Sequence, residues 1–271
     1  MVEVILLALT FSTPLLLAVL GELAVQRAGI INLGIEGMML TAAMTAVLTA
    51  QATHSAPLGL LGGIGGAALI ALLFGFCTVT LSADQIVTGT AINLLALGAT
   101  GFIYRELKLF AAVPQLHTEV FVPMAWIVAP LALAFLLWRT LFGLRLRACG
   151  ENPEAVSTVK AHRWGALAIE ATLIGLAGGF LALALSSGFA ENMTAGRGFI
   201  ALSIVIFGRW KVKGALLGTA VFGLAAALQY ALQAANRGLP FHVLLAVPYL
   251  VTLLILAGVA GKVRAPEALG K

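Results

Sequence analysis

Cutting the sequence at every Asp, Glu, Lys and Arg leaves seven long uncharged runs, at 4–21, 37–83, 85–104, 120–138, 171–190, 214–236 and 238–261. Each reaches the length of about 18 residues at which an apolar helix can cross a bilayer core roughly 30 Å thick. The longest has room for two spans, and Pro57-Leu58-Gly59 supplies a turn between them. The runs predict an all-α, polytopic membrane bundle with eight spans as the base count. Composition agrees: 61% of residues are hydrophobic and 10% charged, against about 25% charged in a soluble domain. No Lys or Arg precedes the first run, and no small-residue cleavage signature follows it, which predicts a retained span rather than a secretory signal.

The basic residues set an orientation. If Arg139, Arg145, Arg147, Lys160 and Arg163 are cytoplasmic, counting spans outward places Arg27, Arg209, Lys211, Lys213, Lys262, Arg264 and Lys271 on the same side. Only Arg105, Lys108, Arg197 and Arg237 fall outside, so the positive-inside rule puts the N-terminus outside and the C-terminus in the cytoplasm. This arrangement needs a ninth crossing, which can only be the stretch 198–208. That stretch is too short for a full span and reads as a broken or half helix. It also aligns weakly with an earlier segment. Gly29-Ile30-Ile31-Asn32-Leu33-Gly34-Ile35 and Gly198-Phe199-Ile200-Ala201-Leu202-Ser203-Ile204 share Gly, Ile, Leu and Ile at alternate positions, in opposite orientations across the membrane. A weak inverted repeat beside Gly-interrupted helices points to a transport path near the midplane.

Several activities are excluded by what is missing. The sequence holds no His-Glu-x-x-His, no Gly-x-Ser-x-Gly and no Cys/His cluster, so neither a catalytic set nor a metal site is expected. Cys77 and Cys149 cannot define a disulfide framework. A phosphate-cradling Gly-x-x-x-x-Gly-Lys-Ser/Thr loop is absent, so any ATP-driven transport would need an ATPase on another chain. Glu36, Asp84 and Glu170 stand near predicted span ends rather than forming a carboxylate chain through the membrane, which argues against a proton-coupled carrier. The basic excess lies between spans, which leaves no nucleic-acid surface.

The most informative polar segment is 143–164. Asn152 is placed to cap a helix that has Pro153 first and Glu154 next, continuing about two turns along the cytoplasmic surface. It can be a solvated connector or a docking helix for a partner protein.

At these residues the chain resembles a known family. Arg145-x-Arg147-Ala148 followed by Gly150-Glu151-Asn152-Pro153-Glu154-Ala155 looks like the coupling segment of permease subunits of bacterial ABC importers, in the branch related to ribose and branched-chain amino-acid permeases. Three stretches resemble its nucleoside and simple-sugar permeases. They are Glu22-x4-Arg27-Ala28-Gly29-Ile30-Ile31-Asn32-Leu33-Gly34-Ile35-Glu36-Gly37-Met38-Met39-Leu40, Asp84-Gln85-Ile86-Val87-x-Gly89-x3-Asn93-Leu94, and Gly196-Arg197-Gly198-Phe199-Ile200-Ala201-Leu202-x4-Phe207-Gly208-Arg209-Trp210. The resemblance covers about residues 12 to 257, and Lys211-Val212-Lys213 departs from it where relatives tend to have Asn-Pro. It implies one permease domain over 1–271 in a bacterial cytoplasmic membrane. Its partners would be cytosolic ATPase subunits, a second permease chain that is a paralogue, an external substrate-binding lipoprotein and membrane lipid, with no cofactor. Glu151, Asn152, Pro153, Glu154 and Ala155 would form the ATPase-coupling surface.

Asn32, Glu36, Gln85, Asn93 and Gln229 are the candidates for the substrate path, with Asp84 beside them. Asn and Gln each offer a donor and an acceptor, which suits the hydroxyls and amide-like edges of a nucleoside, a simple sugar or a nucleobase. An ATP-independent secondary carrier for a small polar solute stays open as the other reading. Trp126, Trp138, Trp164 and Trp210 read as interfacial belt residues. Gly59-x3-Gly63, Gly62-x3-Gly66, Gly175-x3-Gly179 and Gly214-x3-Gly218 read as sites of close helix approach. The loop 105–122 is a candidate face for the binding protein.

Overall fold

The structure is a computed structural model that describes residues 2–107, 113–234, 250 and 264–270. Apart from residue 250, the apolar run 238–261 lies outside the described residues, as do Lys108, Arg237, Lys262 and Lys271. Within them the chain is helical and has no strand. The helices are α1 (Val2–Arg27), α2 (Ile35–Thr53), α3 (Ala56–Gly75), α4 (Gln85–Leu107), α5 (Thr118–Pro123), α6 (Ala129–Arg139), α7 (Leu141–Glu151), α8 (Val159–Phe180), α9 (Arg197–Phe207) and α10 (Val212–Ala234). Wider π turns extend α3 and α8 and join α5 to α6 into one length, Thr118–Arg139.

Six helical lengths are long and apolar enough to cross a membrane: Ile5–Arg27, Ala56–Thr80, Gln85–Leu107, Thr118–Arg139, Val159–Leu185 and Val212–Gln229. The expected count of eight to nine is therefore not reached among the described residues, and the reasons are local. The run 37–83 does divide in two, but its first half, α2, carries four threonines, Gln51 and Glu36, which dilute its apolar character. The stretch 198–208 forms α9, whose eleven residues extend only about 16 Å.

The core lies where α2 and α3 pack as a pair against α8, while α1 packs on the other side of α8 and against α10. Small residues permit this. A Cβ added at Gly63 would stand 2.8 Å from Gly175 O, and one at Gly175 would overlap the Ile64 backbone. The Gly-x3-Gly spacings at 59–63 and 175–179 thus mark real backbone contacts. Gly65, by contrast, faces open space.

The ends of the bundle are chemically distinct. At one end, Arg27 donates to Trp210 O at 2.8 Å and pairs with Glu151 at 3.8 Å. Ala268 N donates to Gly150 O and Gly270 N to Gly29 O, so 264–270 fold over the same end. The opposite end carries the bidentate pair of Arg105 with Glu191, at 2.8 and 2.9 Å, and Leu116 N donating to Leu183 O. Trp138 is partly exposed between the Arg27 and Arg147 guanidiniums, as a belt residue can be. Trp210 is not a belt residue: it is buried and its indole N–H donates to Gln26 Oε1 at 2.6 Å.

Gly175→Ala is expected to lower the melting temperature of the purified protein, because overpacking a tight contact costs about 1–3 kcal/mol. Gly65→Ala should leave it unchanged.

Candidate functional site

Helix α1 ends at a glycine cap. Gly29 takes φ +86°, Gly29 N donates to Gln26 O and Ile30 N to Val25 O, the paired bonds of a left-handed C-terminal cap. Residues 28–34 then run without regular structure before α2 begins at Ile35. This break lies among apolar helices, so its polar backbone groups need partners from the chain itself.

Side chains supply those partners. Ile31 N donates to Gln85 Oε1 at 2.7 Å, and Gly34 N to Asn32 Oδ1 at 2.9 Å. Asn93 grips the start of α2 from both sides: its Nδ2 donates to Leu33 O and its Oδ1 accepts from Gly37 N, each at 2.8 Å. Asn32 is fully buried, and its Nδ2 donates to Glu170 Oε2 at 2.9 Å. Glu36 reaches across to the second short helix. Its two oxygens accept from Gly196 N at 2.8 Å and Gly198 N at 2.7 Å, the open amides at the start of α9. Gly198 has to be this small, since a Cβ there would stand 2.7 Å from Glu36 N.

The starts of α2 and α9 therefore meet, and a cavity of about 430 Å³ opens beside them. Glu36 and Asn93 line it, with Thr90 from α4, Asn192, and Phe199 from α9. A larger hollow of about 710 Å³ shares Leu97 and Asn192 with the first and extends to Arg105 and Glu191. The two hollows adjoin, and their linings together reach from the meeting helix starts to the Arg105–Glu191 end. Hydrogen bonding to Arg105 holds the exposed Glu191 carboxyl below the usual carboxylate range.

Of the candidate path residues, the structure brings Glu36 and Asn93 to the cavity. Asn32, Gln85 and Gln229 are buried outside its lining, the first two bound to the break. Asp84 is exposed and caps the start of α4 through Ile86 N and Val87 N. Thr90 and Phe199 are not legible as lining because nothing in their local sequence says which face of α4 or α9 turns inward, and Asn192 lies in the turns before α9. Glu22 was missed although it lies four residues from Gln26 on one helix face, where the two side chains bond at 2.7 Å. Glu170 is not near a span end: it is fully buried inside α8. The aligned segments 29–35 and 198–204 differ locally, the first being the break and the second helix.

The segment 143–164 also departs from expectation. Pro153–Ala155 form a single 3-10 turn, and the Asn152 side chain makes no cap. The following Val156-Ser157-Thr158 interrupts the helix, as β-branched and hydroxyl residues can. Helix α7 precedes the turn instead, capped by Thr140 Oγ1 accepting from Gly143 N at 3.0 Å. Glu151, Asn152, Glu154 and Ala155 are exposed, and Pro153 partly so. Burial pushes the Cys149 thiol up, consistent with an inert packing role for that residue.

Glu36→Gln is expected to set an amide N–H2 against one of the α9 amides, leaving a buried donor unpaired at about 1–3 kcal/mol. Faster hydrogen exchange in the segment 194–200 would register it.

The family described as branched-chain amino acid transport system, permease component, matches residues 4–259. The guanosine ABC transporter permease protein NupQ of Bacillus subtilis is 33% identical over 97% of this chain and 93% of its own length. The nucleoside ABC transporter permease protein NupC of Lactococcus lactis is 34% identical over the same shares. The putative glucose ABC transporter permease protein TsgC13 of Haloferax volcanii is 33% identical over 84% of this chain and 77% of its own. No solved structure matches the chain. The chain is a multi-pass membrane protein that belongs to the branched-chain amino acid transport system permease family.

Proposed function

We propose that the chain is the membrane-spanning permease subunit of an ATP-binding cassette importer whose cargo is a nucleoside. The observation that carries the reading is the cavity where the starts of α2 and α9 meet. Its volume of about 430 Å³ falls in the range of small-molecule sites. Phe199 is 47% exposed and offers a ring face to a base. Asn192 and Thr90 bring an amide and a hydroxyl that suit base edges and sugar hydroxyls. Relatives named for guanosine and nucleoside transport support this cargo. The relative named for glucose supports a simple sugar as the alternative.

Glu36 and Asn93 line the path but spend their polar atoms on the helix starts, so they shape it. Asn32, Gln85 and Gln229 support it from behind. The sequence lacks a phosphate-cradling loop, so hydrolysis belongs to separate cytosolic ATPases. These dock at Glu151–Ala155, within a single permease domain spanning 1–271. A second, paralogous permease covers α4, whose Leu94 and Phe102 are 68% and 66% exposed. An external binding lipoprotein delivers cargo at the Arg105–Glu191 end. The Arg27 end, with its arginines, faces the cytoplasm of a bacterial cell, so the N-terminus is outside. The six spans, the more polar helix α2, the short helix α9 and the run 238–261 together supply nine segments.

Uptake of labelled guanosine into vesicles holding the assembled transporter tests the reading. Uptake should require ATP; uptake that persists without the ATPase would establish a secondary carrier. Phe199→Ala should lower uptake by about fivefold or more while the complex stays assembled, since a lost base stack costs about 1–3 kcal/mol.

Glu154→Arg tests the docking turn. Glu154 is exposed, whereas Glu151 pairs with Arg27, so the Glu154 change leaves the bundle intact. Reduced co-purification of the ATPase is expected; wild-type binding and uptake would make the turn a plain connector.

A further inference from the structure

Glu22 on α1 and Glu170 on α8 are both fully buried, and their carboxyls are in hydrogen-bonding contact. The two helices cross closely there, since a Cβ at Gly21 would stand 3.4 Å from Glu170 Cα. The pair has a definite set of donors. Glu22 Oε1 accepts from Gln26 Nε2 at 2.7 Å and from Asn32 N at 3.4 Å, and Glu170 Oε2 accepts from Asn32 Nδ2. The other two oxygens, Glu22 Oε2 and Glu170 Oε1, are buried with no donor. Among the described residues, the groups acting on the pair are Gln26, Asn32 and the two carboxyls themselves, with no Lys or Arg among them.

Two ionised carboxylates side by side in apolar surroundings repel each other, and each also bears the cost of burial. One proton between the two donorless oxygens removes the repulsion and supplies the missing hydrogen bond. The geometry points to Glu22 and Glu170 as a proton-binding pair, sharing one proton between Glu22 Oε2 and Glu170 Oε1 and thereby pinning the Asn32 turn that opens α2. The pair then carries a single charge, which three N–H groups satisfy. It is a positioning device. Without its proton the carboxyls separate and release Asn32, and with it the chain leading to Glu36.

Amide substitutions test this in the assembled, full-length transporter. In Glu22→Gln the amide oxygen keeps the bonds from Gln26 and Asn32 N, and the amide N–H2 takes the place of the proton. Glu170→Gln works in the same way from the other side. Each single variant should melt at the wild-type temperature and keep wild-type uptake. The double variant sets two N–H2 groups face to face, and flipping either turns it against Gln26 or Asn32. It should lose thermal stability, a loss that the single variants do not add up to. Infrared spectra of the wild-type protein at neutral pH should contain a protonated-carboxyl carbonyl band that is absent from each single variant. A wild-type spectrum without that band overturns the proposal. So does a loss of stability in both single variants together with wild-type melting that rises with sodium or potassium chloride, which would make the pair a cation site.

Discussion

The backbone of an interrupted helix among apolar neighbours must find its hydrogen bonds within the protein, and most of the polar chemistry of this permease follows from that requirement. The chain breaks at 28–34 and starts α9 at Arg197 with open amides. Glu36 satisfies Gly196 and Gly198, Asn93 satisfies Leu33 and Gly37, and Gln85 satisfies Ile31. Helices α2 and α4 contribute both walls and clamps to the recess, and α9 contributes a wall and the amides that Glu36 holds. The recess and the clamps are therefore one construction, and its shape depends on groups that cannot be removed singly without exposing an amide.

A continuous polar line joins this construction to the far end of the bundle. Glu151 pairs with Arg27, Arg27 holds Trp210 O, Trp210 donates to Gln26, and Gln26 donates to Glu22 beside Glu170 and Asn32. These contacts place the Glu151 turn and the start of α2 on one chain of polar contacts. Gly150, packed against the Arg27 carbonyl, brings the backbone of the turn into the same line.

Much of the fold was legible because charge is scarce: long gaps between charges marked apolar helices, and Pro57 with Gly59 marked the turn inside the longest run, whereas α8 starts well before its gap and carries Lys160, Arg163 and Glu170 within its span. The half helix at 198–208 was legible from its length, between Arg197 and Arg209. Less was legible where function depends on rotation about a helix axis. Glu36 and Asn93 were recognisable as polar groups in apolar surroundings, but which of several Asn and Gln residues faces the recess depends on packing between distant helices. Asn32 and Gln85 turn to the break, and Trp210 turns inward because Gln26 offers an acceptor 184 positions away. The Asn152 cap failed for a local reason: Val156-Ser157-Thr158 ends the helix that Pro153 would begin.

The tie between residues 264–270 and the break bears on how the protein is made. Gly270 N donates to Gly29 O and Ala268 N to Gly150 O, so the end of α1 and the turn after α7 are closed by a segment that leaves the ribosome after all the helices named above. Until then the Gly29 and Gly150 carbonyls lack the donors that close this end of the bundle. Synthesis of these helices and closure of this end of the bundle are thus separate events, and the second waits on the stretch 264–270.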